Sequence, residues 1–152
     1  MKQEQIRTVH EAYGPHLILD GYDCNPDRLA DLGVIYDFLD AAPSVIGMTK
    51  IIPPYVFKFA AQPPLPPEDS GISGFVIIAE SHISVHTYPE RGFLSLDIFS
   101  CKQFPVGIAV KLAVDFFEIR RWDSRVLDRG LEFPRDPVAA KQTILAQRQG
   151  HL

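Results

Sequence analysis

The sequence predicts an α+β fold: a two-layer sandwich in which a largely antiparallel sheet carries helices on one face. Three observations predict it. Short apolar, strand-like runs interleave with two segments of helical period long enough to cover a sheet. The strand candidates after Gly71 are joined by Pro89-Glu90-Arg91-Gly92, whose early proline and late glycine are turn chemistry suited to an antiparallel hairpin. A chain of 152 residues suffices for one compact domain and is short for two.

In chain order, residues 1–14 are polar and charged and read as a loose arm or short helix. His16 to Tyr22 is a short apolar run, expected to be the first strand. Asn25-Pro26-Asp27 supplies an N-cap followed by proline at the first helical position. Leu29, Leu32, Ile35, Phe38 and Leu39 then recur at helical spacing, so a helix is expected to about Asp40, ended by Ala41-Ala42-Pro43-Ser44. Met48 to Phe59 is β-rich, but Pro53 and Pro54 confine it to an edge or split it. Gln62 to Ser70 holds four prolines and is expected to be a stiff irregular loop. Strands follow at Gly74–Ala79, Ile83–Tyr88 and Gly92–Phe99, then a helix from Val106 to Phe117 with Val110, Val114 and Phe117 on one face. Val126 to Phe133 reads as a last strand and Pro137 to Gln149 as a polar terminal helix.

Composition narrows the function classes. A net charge of −4 with no basic stripe argues against a nucleic-acid surface. No apolar run approaches the roughly 20 residues a membrane helix needs, and the first residues lack the apolar stretch of a signal peptide. A cytoplasmic location is therefore expected. The two cysteines, Cys24 and Cys101, belong to no CxxC pair, so neither a structural disulfide nor a metal site is expected.

Chemistry-bearing residues concentrate between Gly71 and Cys101. If the strands flanking Pro89–Gly92 pair, residues whose numbers sum to about 181 lie opposite each other. His86 then faces Ser95, and Cys101 faces Glu80 or Ser81. Ser81 and His86 differ by five, an odd number, so a regular strand would point them to opposite faces. For the two to cooperate, the chain is expected to kink or break between them.

The run Glu80-Ser81-His82-Ile83-Ser84-Val85-His86-Thr87-Tyr88-Pro89-Glu90 resembles the processing-site signature of prokaryotic S-adenosylmethionine decarboxylase proenzymes. Gly71-Ile72-Ser73-Gly74 is similar to that family's Gly-x-Ser-Gly, Cys101 stands 20 residues after Ser81 as the family's cysteine does, and His16-Leu17 with Tyr22-Asp23-Cys24 is similar to its opening strand. The resemblance implies that the chain cuts itself between Glu80 and Ser81, turning Ser81 into a covalent pyruvoyl cofactor while the two pieces stay associated. It implies that Ser73 and His86 assist the cut, His86 as proton acceptor. In turnover the pyruvoyl ketone would form a Schiff base with the substrate amine and act as electron sink, and Cys101 would return a proton to the α-carbon. Glu90 would hold the ribose hydroxyls, and Tyr88 would belong to the substrate site. The family also implies a small-molecule, amino-acid-type substrate and a homodimer, or dimer of cleaved heterodimers, with active sites near the subunit interface.

Three positions depart from the pattern. Six residues before Ser73, where the family has a phenylalanine for the substrate's sulfonium, stands Pro67, so the aromatic would come from Phe57, Phe59 or Tyr55. Tyr88 stands where tryptophan is common, and Lys102 where glycine is common. Alternatives stay open: the same pyruvoyl chemistry on arginine or ornithine, an uncleaved small-molecule-binding or dimerisation module, and a thiol hydrolase using Cys101 and His86 without Ser81.

Overall fold

The computed structural model describes residues 12–133 together with Val138, Gln142, Leu145 and Ala146. The arm before residue 12 lies outside the described residues, as does most of the expected terminal helix, whose four described positions are helical. Chain order is β1 (Gly14–Tyr22), α1 (Pro26–Leu29), α2 (Leu32–Val45), β2 (Tyr55–Phe59), β3 (Gly71–Ile78), β4 (Ser81–Tyr88), β5 (Phe93–Ser100), α3 (Val106–Phe117) and β6 (Arg121–Arg129). The strands form one sheet in the order β2-β3-β4-β5-β1-β6, antiparallel at every step.

Local chemistry explains the first departure from expectation. Asn25 caps α1 by accepting the Asp27 N–H, but Asp31 accepts from both Gly33 and Val34 and starts a second helix. An aspartate carboxylate competes for the very N–H groups a continuous helix would use, so the single expected helix becomes two. The second also outruns its expected end, with Pro43 inside it and the last residue at Val45. Proline keeps a helical φ, but it lacks the N–H and its ring crowds the preceding turn, and the helix ends two residues after it.

Met48 to Phe59 reduces to edge strand β2 plus a lone bridge between Lys50 and Ile78, with the prolines between them. The last strand begins at Arg121, five residues before the expected Val126. Every residue of β6 is exposed, so no burial alternation marks it; its bounds follow from backbone pairing with all nine residues of β1.

Odd residues of β1, and even residues of β3 and β5 together with odd residues of β4 from Ile83 on, point toward the helices. Leu17, Leu19, Val76, Ile78, Ile83, Val85, Leu94, Leu96 and Ile98 are buried there against Ile35, Phe38 and Leu39 of α2 and Phe117 of α3. The α3 stripe is Ala109-Ala113-Phe117 rather than the expected Val110-Val114-Phe117. The valines flank it half-buried, and the small alanines let the helix axis approach the sheet closely. The opposite sheet face carries Phe57, Phe75, Phe93, Phe99, His16, His82 and His86. No described helix is long and apolar enough to cross a membrane.

Candidate active site

Strands β3 and β4 are joined by a two-residue turn, Ala79-Glu80, so the Glu80–Ser81 bond lies at a tight reversal. Ser81 has φ +152°, a backbone conformation that L residues rarely adopt and that is retained only where the surroundings enforce it. The surroundings are visible. The Ala79 N–H donates to the Thr49 carbonyl at 2.8 Å, the Thr49 N–H donates to the Glu80 carboxylate at 3.2 Å, and the Cys101 N–H donates to the Glu80 carbonyl at 2.8 Å. The last bond withdraws charge from the carbonyl and stabilises negative charge on its oxygen. It also sets Cys101, which is exposed, beside Ser81. The hairpin register is the expected one: Ser81 pairs with Ser100 and His86 with Ser95.

A second cluster sits further along the hairpin. Ser73 of β3 is opposite His86 of β4, and its hydroxyl shares a 2.8 Å hydrogen bond with His86 Nδ1. Beside this dyad, Phe59, Leu65, Asp69, Tyr88, Arg91 and Phe93 line a cavity of about 360 Å³. The wall is fixed by an Arg91 Nε–Asp69 bond of 2.7 Å, which ties the proline-rich loop to the turn holding Glu90. That turn closes at Gly92, whose φ of +58° is one glycine adopts readily.

The two clusters do not meet within one chain. From Ser81 to Tyr88 the ladder is unbroken, and Ile83, Val85 and Thr87 are buried in strict alternation. The expected kink between Ser81 and His86 is absent; the irregularity is confined to Ser81 itself, where the tight turn ends. Five residues of strand, at ~3.4 Å each, place His86 about 17 Å from Ser81.

Phe59 pairs with Gly71, so residues 60–70 leave and rejoin the ladder as an excursion. Pro67 starts an exposed turn of that loop and does not line the cavity, whereas Phe59 does.

Several residues escaped sequence reasoning. Asp97, unassigned from sequence, accepts from His16 Nε2 at 2.8 Å across the β1–β5 pair; shared strand parity was the available signal. Burial, then the neighbouring His16, holds His82 below the ordinary histidine range. Tyr13, in a segment read as a loose arm, packs its ring on Phe99 and Phe133, and the neighbouring Cys101, then desolvation, raise its phenol above the ordinary tyrosine range. Cys24 is buried, and burial pushes its thiol up to about 11, so it is an inert packing group. A larger cavity, about 800 Å³, lies between the start of α1 and the end of α3 and includes, of these residues, Cys24 alone. Its carboxylates are engaged by Arg121, Arg28, Asn25 and Lys111.

The chain is similar to proteins of one family. The family profile described as S-adenosylmethionine decarboxylase matches residues 15–130. The S-adenosylmethionine decarboxylase proenzyme of Pyrococcus abyssi is 39% identical over 137 residues, covering 89% of this chain and 90% of the relative. That of Pyrococcus furiosus is 35% identical over 124 residues, covering 80% and 82%. The crystal structure of the adenosylmethionine decarboxylase from Aquifex aeolicus superposes with a TM-score of 0.66 at 30% identity, covering 79% of this chain and 92% of that one.

Proposed function

The chain belongs to the S-adenosylmethionine decarboxylase family, and from that premise we propose that it cuts itself between Glu80 and Ser81 and works through a pyruvoyl group made from Ser81, at sites shared by two copies. The activity is decarboxylation of S-adenosylmethionine, the reaction that supplies an aminopropyl donor for polyamine synthesis. The observation that carries the self-cleavage is the Glu80–Ser81 bond itself: a strained serine follows a carbonyl already held by the Cys101 N–H at 2.8 Å.

That geometry fits a pyruvoyl precursor. The Ser81 hydroxyl attacks the Glu80 carbonyl carbon, the C–N bond breaks, and an ester replaces the amide while the Cys101 N–H holds the oxygen that becomes negative. A base then takes the Ser81 α-proton, and Glu80 leaves as a carboxylate. One water enters and one ammonia departs. When formed, the pyruvoyl group supplies an electron-withdrawing carbonyl for carbon dioxide loss. Cys101 lies beside it to hold and deliver a proton.

The base is His86, held by Ser73, and it comes from a second copy. Within one chain the dyad stands about 17 Å from Ser81, so a two-fold pairing of open sheet faces is the arrangement that joins one copy's Ser81 and Cys101 to the other's Ser73 and His86. The open face supports such a pairing, because it presents Tyr55 at 59%, Phe57 at 43% and Phe75 at 37% exposure. In this reading the cavity bounded by Phe59, Tyr88 and Phe93 takes the nucleoside end of the substrate, with Phe59 facing the sulfonium and Glu90 accepting from the ribose hydroxyls.

The substrate assignment is tested by incubating the purified chain separately with S-adenosylmethionine, arginine and ornithine and identifying the amine product by mass spectrometry. Turnover of S-adenosylmethionine alone is expected. Turnover of arginine or ornithine instead would overturn it.

A further inference from the structure

We propose that the proline-rich segment from Gln62 to Ser70 is a specificity element of the substrate site: the Asp69–Arg91 ion pair holds it in place, and Leu65 makes an apolar contact with the nucleobase. This rests on the reading of the cavity beside the Ser73–His86 dyad as the nucleoside site.

The segment is built as a stiff arm. Phe59 pairs with Gly71 at its neck, and the Ala61 N–H donates to the Ser70 hydroxyl oxygen at 2.9 Å, so both ends leave the sheet at one point. Between them stand Pro63, Pro64, Pro66 and Pro67, each with φ held by its ring. The Leu65 N–H donates to the Gln62 carbonyl at 2.9 Å and the Asp69 N–H to the Pro66 carbonyl at 3.0 Å, which folds the arm on itself. Such an arm has little freedom left to lose when a ligand binds.

Its far end is fixed against the turn that carries Glu90. Where the arm rejoins the sheet, a Cβ on Gly71 would stand 1.7 Å from the Thr87 carbonyl oxygen and 3.3 Å from Pro89 Cδ, so only glycine lets the chain pass this close. Two residues earlier, Asp69 accepts from Arg91 Nε at 2.7 Å. The pair is part-exposed, at 27% for Asp69 and 50% for Arg91, and so adds little to global stability. Its effect is local: it sets how the arm stands at the cavity, and it offsets the Arg91 charge in a wall that receives a sulfonium cation.

A single exposed leucine means little on a protein surface. Leu65, 48% exposed, instead lines the 360 Å³ cavity with Phe59, Tyr88 and Phe93, so the apolar lining comes from three strands and the arm. That volume lies within the ~300–1,000 Å³ of small-molecule sites, and the lining suits the flat apolar faces of a purine. Tyr88 is two residues from both His86 and Glu90, which joins this cavity to the groups that act on the substrate.

The test compares Leu65→Ala, Asp69→Asn and Asp69→Glu with the wild type. With S-adenosylmethionine, KM is expected to rise about fivefold in Leu65→Ala at a kcat within about twofold. It should rise about threefold in Asp69→Asn and return to within about 1.5-fold in Asp69→Glu, which keeps the charge. The dissociation constant of 5′-methylthioadenosine, the nucleoside end without the amino-acid arm, is then measured by titration calorimetry in a Ser81→Ala background, where no turnover is needed. It should rise by similar factors. Unchanged KM and dissociation constant in Leu65→Ala, no rescue by Asp69→Glu, or no binding of methylthioadenosine in the Ser81→Ala background would each overturn the proposal. A wild-type chain that binds methylthioadenosine but turns over no S-adenosylmethionine would instead count against the parent reading, while the titration would still decide the roles of Leu65 and Asp69.

Discussion

Splitting the site between two copies makes a prediction about mixtures of two defective chains. Ser81→Ala removes the serine that is cut, and His86→Ala removes the base; each variant alone is expected to be uncleaved and inactive. The structure sets the reason. His86 lies five residues along an unbroken strand from Ser81, about 17 Å, against the ~3 Å that proton transfer requires. In a mixed dimer, one site loses both residues. The other combines intact Ser81, from the His86→Ala chain, with intact His86, from the Ser81→Ala chain. With equal co-expression half of the dimers are mixed, each retaining one of two sites, so activity should recover to about one quarter of the wild-type level. Cleavage should appear only in the His86→Ala chain, which differently tagged copies resolve on a denaturing gel. Mixed dimers that form without recovering cleavage, or a His86→Ala chain that cuts itself fully alone, would refute the reasoning.

Other consequences are local. Gly14→Ala inserts a Cβ 1.8 Å from the Ser100 carbonyl oxygen, so β1 must part from β5 beside Cys101; reduced cleavage and a Tm lower by several degrees are expected, and wild-type values for both would contradict the register argument. Thr87 is buried, donates to the Leu29 carbonyl at 2.8 Å and accepts the Ile72 N–H at 3.1 Å. Thr87→Val strands both partners and should cost about 1–3 kcal/mol in denaturant unfolding. For His82, burial and His16 lower the folded-state pKa, so the unfolded chain protonates first as pH falls. Stability should therefore decline as pH drops below ~6.5 and level off once folded His82 protonates; His82→Gln should flatten that limb, and identical pH profiles would rule the coupling out.

The hairpin was legible from sequence because its turn chemistry fixes its register. With Pro89-Glu90-Arg91-Gly92 as the reversal, His86 falls opposite Ser95 and Cys101 opposite Glu80 or Ser81, and the backbone bonds agree. Helix α3 was legible from its period, although its buried stripe was not: alanine carries too little apolar signal to outvote valine. Strand β6 was misplaced because a strand exposed on both faces has no alternation, only a partner. The break at Asp31 was missed because five well-spaced apolar residues masked a second cap. Pro67 stands in a loop that leaves the ladder, and Phe59, one of the three aromatics offered in its place, lines the cavity. Tyr13 carries no motif; its place follows from how closely Gly14 lets two strands approach.

The central claim, that the Glu80–Ser81 bond is the chain's own point of chemistry, is tested most directly by an intact-mass spectrum of the purified protein beside Ser81→Ala. The account predicts two fragments in the wild type, one ending at Glu80 and the other beginning at residue 81 and lighter by about 17 Da than a serine-headed piece, with Ser81→Ala intact. A wild-type chain that stays whole at 17.0 kDa under all conditions would contradict it.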